Sequence, residues 1–247
     1  MPQVATFVFH GTLKDFLRPV ARLQPITYTF TGAPAVKDAI EALGIPHPEV
    51  AFIWRNKKPL QFTDKLYADD EIHVYPTQTV TGIPEQNSLI PPLFVSIKFI
   101  LDVHLGTLAK ALRMLGFDTI YEKYLNDSQI ASLAKQENRI VLTRDVGLLK
   151  HRIIEHGYWL RSQHTTEQLQ EVIKRYGLSG KLSPFKRCLS CNTIISSVPK
   201  ESILHRIPAN TRLYFDEFFY CPACDRVYWK GSHYEHMLST IKAIQGN

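Results

Sequence analysis

The chain has little cysteine. Its 247 residues include four, all in two Cys-x-x-Cys pairs, Cys188-Leu-Ser-Cys191 and Cys221-Pro-Ala-Cys224. That scarcity argues against a disulfide-stapled secreted fold. Long apolar runs are lacking too, so no stretch reaches the ~20 residues of a membrane-spanning helix. The N-terminus, MPQVATFVFHGTLKDF, has no basic segment followed by a long apolar core. A secretory signal is therefore not expected, and the expected location is the cytoplasm. A Gly-rich nucleotide loop, a metalloprotease HExxH and a Gly-x-Ser-x-Gly elbow are all missing. Nucleotide-triphosphate, zincin and serine-hydrolase chemistries lose their usual signatures with them.

What is present is cation, unevenly placed. The formal net charge is +6. Residues 1–92 hold 8 Lys+Arg against 9 Asp+Glu, whereas residues 93–247 hold 21 against 14. The second part is the one that favours a polyanionic partner such as nucleic acid, with solubility alone as the plainer reading. The hydrophobic share of 45% is ordinary for a globular protein long enough for two or three domains.

The two cysteine pairs fit one tetrahedral zinc site, because each offers two thiolates at the spacing one ion takes. Cys188, Cys191, Cys221 and Cys224 leave no open coordination position, so this zinc is expected to be structural. The 29 residues between the pairs imply a zinc ribbon carrying an extended hairpin or loop. His233 and His236 follow the second pair and are expected at the surface.

The order of elements divides the chain. Strands at 4–9 and 26–30, a helix over 35–43 stopped by Gly44, and strands at 51–54 and 71–76 give β-β-α-β-β. This suggests a ubiquitin-like β-grasp domain over 1–77, followed by a Thr/Pro-rich linker over 78–93. From 94 to 180 strands and helices alternate: FVSIKFIL (94–101), a helix with Leu105, Leu108, Leu112 and Leu115 inside, DTIY (118–121), a helix over 128–137 with Ile130, Leu133 and Ala134 inside, RIVLT (139–143), a helix over 146–156, YWLR (158–161) and a helix over 165–176. Such alternation predicts a mostly parallel sheet with helices on both faces. The zinc segment occupies 181–247. Aromatics at 214–220 and 228–229 are expected to pack around it.

In a parallel sheet, ligands gather at the carboxyl ends of the strands. Asp102 follows the first strand, Asp145 follows RIVLT, and Asp127 opens the helix whose start belongs at that same edge. Three such carboxylates suit Mg²⁺ or Mn²⁺ and the hydrolysis of phosphodiesters. Each also has a plainer reading: Asp127 and Asp145 as helix caps, Asp102 as a strand end. Asp118 starts its strand and is expected to be structural. Lys110 and Arg113 lie off the leucine stripe, as surface residues or phosphate contacts.

The runs LDVHLGTLAKALRMLGFDTIY (101–121) and NDSQIASLAKQENRIVLTRD (126–145), followed by the two cysteine pairs, resemble the Mut-seven C-terminal RNase domain family. The resemblance implies a PIN-like nuclease fold with an appended zinc ribbon, acting on RNA. It implies catalytic, metal-binding roles for Asp102, Asp127 and Asp145, and RNA contacts for Lys110, Arg113 and Arg144. GIPHPEVAFIWRNKKPLQF (44–62) with DDEIHVYP (69–76) is similar to the ubiquitin-like domain that often precedes it, a candidate dock for a protein partner. It is similar also to sulfur carriers, which need a terminal Gly-Gly; here the domain runs into TQTVTGIPEQ and the chain ends in IQGN, so no carrier role is expected. Two departures stand out. Val146-Gly147 occupy the place where the family often has a fourth acid, and His104 replaces a common apolar residue. They leave a second expectation, a non-catalytic RNA- or ribosome-binding protein on the same fold.

Overall fold

The computed structural model describes residues 1–76, 88–93 and 96–245. Most of the expected linker, and the first two residues of FVSIKFIL, lie outside them. The chain divides into two compact units, residues 1–95 with 126–159 and residues 96–125 with 160–247.

The first unit opens with the β-grasp. Strands β1 (Gln3–Phe9), β2 (Ile26–Phe30), β3 (Val50–Arg55), β4 (Lys58–Leu60) and β5 (Glu71–Pro76) form one sheet in the order β2-β1-β5-β3-β4. β1 and β5 are parallel at its centre, and the other neighbours are antiparallel. Period-two alternation points Ala5, Phe7, Phe9, Ile72 and Val74 inward. They join Val36, Ala39 and Ile40 of helix α1 (Val36–Ala42) in one core. The RNKK turn is sharper than the sequence suggested: Asn56 and Lys57 both take positive φ (50° and 64°), as a type I′ hairpin requires, and this adds β4.

The same unit holds α3 (Asp127–Glu137), β8 (Ile140–Thr143), α4 (Val146–Leu149) and β9 (Gly157–Trp159), numbered after elements of the other unit. β8 and β9 pair in parallel. The buried stripe of α3 is Ile130, Ala131 and Ala134, with Leu133 only partly covered. The helix expected over 146–156 stops after four residues. Its continuation is drawn to the β-grasp instead. Ile154 is buried and its carbonyl accepts from His47 Nε2 at 2.8 Å, while Lys150 Nζ donates to the Glu41 carbonyl at 2.7 Å. Glu49, 2% exposed, accepts from the Trp159 amide at 2.8 Å, and Phe16 packs on the Trp159 ring at 4.8 Å between centroids. The β-grasp and the segment from 126 to 159 thus share buried polar contacts that need both.

The second unit contains β6 (Lys98–Leu101), α2 (Gly106–Met114), β7 (Asp118–Tyr121) and α5 (Thr165–Tyr176). β6 and β7 run parallel, so the described strand pairs between residues 98 and 159 are parallel in both units, as alternation implied. Leu105, Leu108, Leu112 and Leu115 are all buried. Gly116 turns the chain out of α2 at φ +96°, and a Cβ there would stand 2.1 Å from the Ser183 carbonyl. That close approach lets residues 183–187 run along the end of α2, with Ser183 and Phe185 amides donating to Leu115 and Met114 carbonyls. The ribbon follows: β10 (Ser196–Val198), α6 (Lys200–Ile203), α7 (Ala209–Tyr214), β11 (Phe218–Tyr220), β12 (Val227–Trp229) and α8 (Ser232–Gln245). Among the described residues, no helix is long and apolar enough to cross a membrane.

Candidate metal centres

The four cysteines converge. Among the described residues, their sulfurs form a group in which all lie within 4.8 Å of one another. Cys188 Sγ is 3.5 Å from Cys224 Sγ, and Cys191 Sγ is 3.4 Å from Cys221 Sγ. These separations exceed an S–S bond of about 2 Å, and all four cysteines are free. Four thiolates about 2.3 Å from one zinc would sit roughly 3.8 Å apart. The donor set therefore suits zinc, and a closed thiolate tetrahedron suits a structural role.

Local backbone explains the convergence. In each knuckle the residue after the second cysteine takes the left-handed conformation, Asn192 at φ 72° and Asp225 at φ 59°. Its amide returns to the carbonyl of the first cysteine, at 3.0 Å in both cases. Asn and Asp are the non-glycine residues that tolerate this region best, so the fifth position of each knuckle was a signal in the sequence that spacing alone did not use. The three strands pair antiparallel in the order β10-β11-β12. Between the knuckles β10 and β11 pair as the expected extended hairpin, and its connection is helical: α6 and α7 fill it, with Ile203, Ile207 and Phe218 as a small core. Phe218 is buried as expected, but Leu213 and Tyr214 are exposed. Tyr228 reaches the cysteine cluster itself, its hydroxyl 3.0 Å from Cys188 Sγ and accepting from the Leu189 amide. The side chains of His233 and His236 lie outside the described residues.

The metal-free thiols are unequal. Burial raises Cys191, but hydrogen bonds with Thr193 and the neighbouring cysteines outweigh it and hold the thiol at about 6. Burial, reinforced by hydrogen bonds with the other thiols, pushes Cys224 up to about 12. Cys221 moves up for the same leading reason.

Arg113 changes role. Expected to contact RNA, it is 4% exposed. Its Nε donates to the Thr119 carbonyl at 3.0 Å, and its Nη1 to the carbonyls of Leu189 (3.1 Å) and Ser190 (2.7 Å), inside the first knuckle. Desolvation lowers its pKa, opposed by the nearby Cys188 and Cys191. A buried guanidinium with these partners fastens the knuckle to α2 and is not offered to a ligand. Asp118 is structural, as expected: it accepts from Asn192 Nδ2 at 2.9 Å and pairs with Arg187. Asn192 Oδ1 also accepts from the Thr119 amide, so the knuckle hydrogen-bonds to β7.

The aspartates stand at element ends. Asp102, 8% exposed, directly follows β6, and its Oδ1 accepts from the Val103 amide at 2.5 Å. In the first unit, α3 leads through Asn138-Arg139 into β8. Eleven helical residues rise about 16 Å and four strand residues about 13 Å, so Asp127 and Asp145 come to the same end of this layer. Asp127 does not cap α3. Asn126 does, in a capping box with Gln129, and Asp127 is exposed in the first turn. Asp145 does cap: its Oδ1 accepts from the Gly147 amide at 2.7 Å, leaving Oδ2 for another partner. A Cβ on Gly147 would come within 3.0 Å of that Oδ1. Residue 147, read as the place of a lost acid, thus allows the close cap. Lys110 is exposed on α2. The carbonyl of Arg144 accepts from Trp159 Nε1.

Two family models match the chain. The one described as Mut7-C RNAse domain covers residues 97–241, and the one described as Mut7-C ubiquitin covers residues 2–81. No curated protein and no solved structure matches it.

Proposed function

The chain belongs to the Mut7-C RNAse domain family, and from that premise we propose that it is a cytoplasmic, metal-dependent ribonuclease with a zinc-held ribbon. The observation that carries this reading is the extent of the match, which spans all three aspartates and all four cysteines. A bound Mg²⁺ or Mn²⁺ would supply Lewis acidity and a water activated for attack on phosphorus. Asp102, Asp127 and Asp145 would hold it. Asp127 and Asp145 are exposed, and Asp127 has no capping duty, so neither carboxylate is withheld from a cation by burial. Lys110 and Arg144 would contact the phosphate backbone, where positive charge gives salt-dependent affinity without reading sequence. Zinc on Cys188, Cys191, Cys221 and Cys224 would hold the ribbon as a rigid partner of α2.

The test is cleavage of several RNAs with and without Mn²⁺, for wild type and Asp102→Asn. Cleavage that needs the metal and is lost in the variant is expected. Salt-dependent RNA binding with no turnover under any divalent metal would instead support the non-catalytic reading, which the Val146-Gly147 sequence favours.

A further inference from the structure

The exposed face of the β-grasp sheet carries a feature that nuclease chemistry does not use. Alternation that sends Phe7, Phe9, Ile72 and Val74 into the core turns His73 and Tyr75 of β5 the other way. Trp54 stands directly opposite His73 on β3. Beside them the sheet opens into a cavity of about 380 Å³, lined by Trp54, Asn56, Lys57, Glu71, His73 and Tyr75. That volume is in the range of small-ligand sites.

The lining is held in place. His73 Nε2 is 2.9 Å from Glu71 Oε1, and the carboxylate accepts there. His73 Nδ1 lies 3.0 Å from His10 Nε2, and one of the two rings donates to the other. Burial foremost, then His73 and Lys14, lowers the His10 pKa. His10 in turn stacks on Tyr75 at 4.1 Å between centroids and 7° between planes. One group is left without a partner: the buried indole N–H of Trp54. Buried tryptophan donors are ordinarily satisfied, so the wall of this cavity holds a tryptophan with an unspent donor.

We propose that this cavity binds a nucleotide, with the base against Trp54 and Tyr75 and the phosphate at Lys57. Two aromatic walls select a flat ring. The Asn56 amide and the second oxygen of Glu71 supply donors and acceptors for its edge, and Lys57 at the tip of the turn supplies the cation. The acceptor-only carboxylate prefers a base that presents adjacent N–H groups, which guanine does and uracil does not. The site is independent of the nuclease reading. Its occupant is a free nucleotide or one residue of a single RNA strand.

The experiment follows the Trp54 indole N–H by ¹H–¹⁵N NMR in the full chain, with no divalent metal added so that cleavage plays no part. The chain has three tryptophans, and Trp54→Phe assigns the signal. The probes are GMP, UMP, ribose 5-phosphate and a short 2′-O-methyl, guanine-containing single strand. Saturable movement of the Trp54 signal by GMP is expected, weaker with UMP and absent with ribose 5-phosphate. Tyr75→Leu keeps apolar bulk without the ring, and Lys57→Asn removes the charge while tolerating positive φ. Each should weaken binding roughly five- to tenfold, with thermal melting confirming the fold. If the oligonucleotide binds at least about tenfold tighter than GMP, with strong salt dependence, the occupant is a strand residue. Equal affinities mean a free nucleotide. A Trp54 signal unmoved by every probe, or moved equally in both variants, overturns the proposal.

Discussion

The guanidinium of Arg113 donates to the carbonyl oxygen of Ser190 at 2.7 Å, joining a helix of the nuclease region to the inside of a zinc knuckle. With Leu189 and Thr119 as further acceptors, one buried side chain satisfies three carbonyls. Arg113→Ala leaves them without this donor. A lost charge-assisted bond costs about 1.5–3 kcal/mol, and stranded polar groups add to it. We expect Arg113→Ala to lose roughly 3 kcal/mol in denaturant unfolding, and Arg113→Lys to recover only part, because an ammonium cannot reproduce the planar fork. Zinc release to a chelator should be faster in both. Unchanged stability and zinc retention would refute the fastening role.

The zinc itself should be stoichiometric. Four thiolates brought within 4.8 Å repel one another when ionised without a cation, and zinc coordination in small domains supplies about 10 kcal/mol or more. Elemental analysis should give one zinc per chain. Cys221→Ser should unfold the ribbon while the β-grasp, whose core contains no cysteine, keeps its hydrogen-exchange protection. Elemental analysis showing no zinc in protein purified without chelator would contradict this.

The inequality of the thiols gives a pH dependence in metal-stripped protein. Cys191, held at about 6 against an ordinary 9.0, is ionised at neutral pH. It favours the folded ribbon above the ordinary value, and that contribution fades as pH falls from 9.0 through about 6. Cys224, raised to about 12, keeps its proton; its contribution is complete below 9.0 and fades as pH rises toward 12. At pH 7 iodoacetamide should therefore label Cys191 first and Cys224 last. The Cys191 rate should fall as pH drops through about 6. Equal labelling of all four would show that the thiols do not differ.

The contacts between the β-grasp and residues 126–159 should also be measurable. Glu49 is almost fully buried and accepts from the Trp159 amide. Glu49→Ala removes that acceptor and leaves a gap, at an expected cost of about 2 kcal/mol. Hydrogen exchange should accelerate at Trp159 more than in the interior of β1. Exchange unchanged at Trp159 would mean the contact does not persist in solution.

Periodicity made most of this fold legible. The leucines of α2 and the alternation of β1 and β5 bury the residues the sequence pointed to, and two Cys-x-x-Cys pairs located the cysteine cluster. What it missed depends on partners distant in sequence. Arg113 looked like a surface cation because its acceptors lie 76 and 77 residues away. The helix over 146–156 had helical spacing, yet its second half serves His47 instead. Trp54 read as an ordinary strand residue, and only its orphaned N–H beside a cavity sets it apart. For the carboxylates, sequence could not separate capping from metal binding; the structure assigns the α3 cap to Asn126 and the α4 cap to Asp145.

That separation makes the acid site testable. Asn caps a helix about as well as Asp, so Asp145→Asn should keep the bond from the Gly147 amide and melt within about 0.5 kcal/mol of wild type without divalent metal. Asp145→Ala loses the cap and should cost about 1 kcal/mol. Asp127→Asn touches no cap, since Asn126 makes it, and should be thermally silent as well. Added Mn²⁺ then isolates the other function. A cation that binds only the native state raises stability by mass action, by about 2.7 kcal/mol at a hundred times its dissociation constant. Wild type should show such a rise, and Asp127→Asn and Asp145→Asn should show much less, because each has lost a charged oxygen ligand while keeping its fold. Equal Mn²⁺-induced shifts in wild type and both Asn variants would reduce Asp145 to a helix cap and Asp127 to a surface charge, and the nuclease reading would lose its metal.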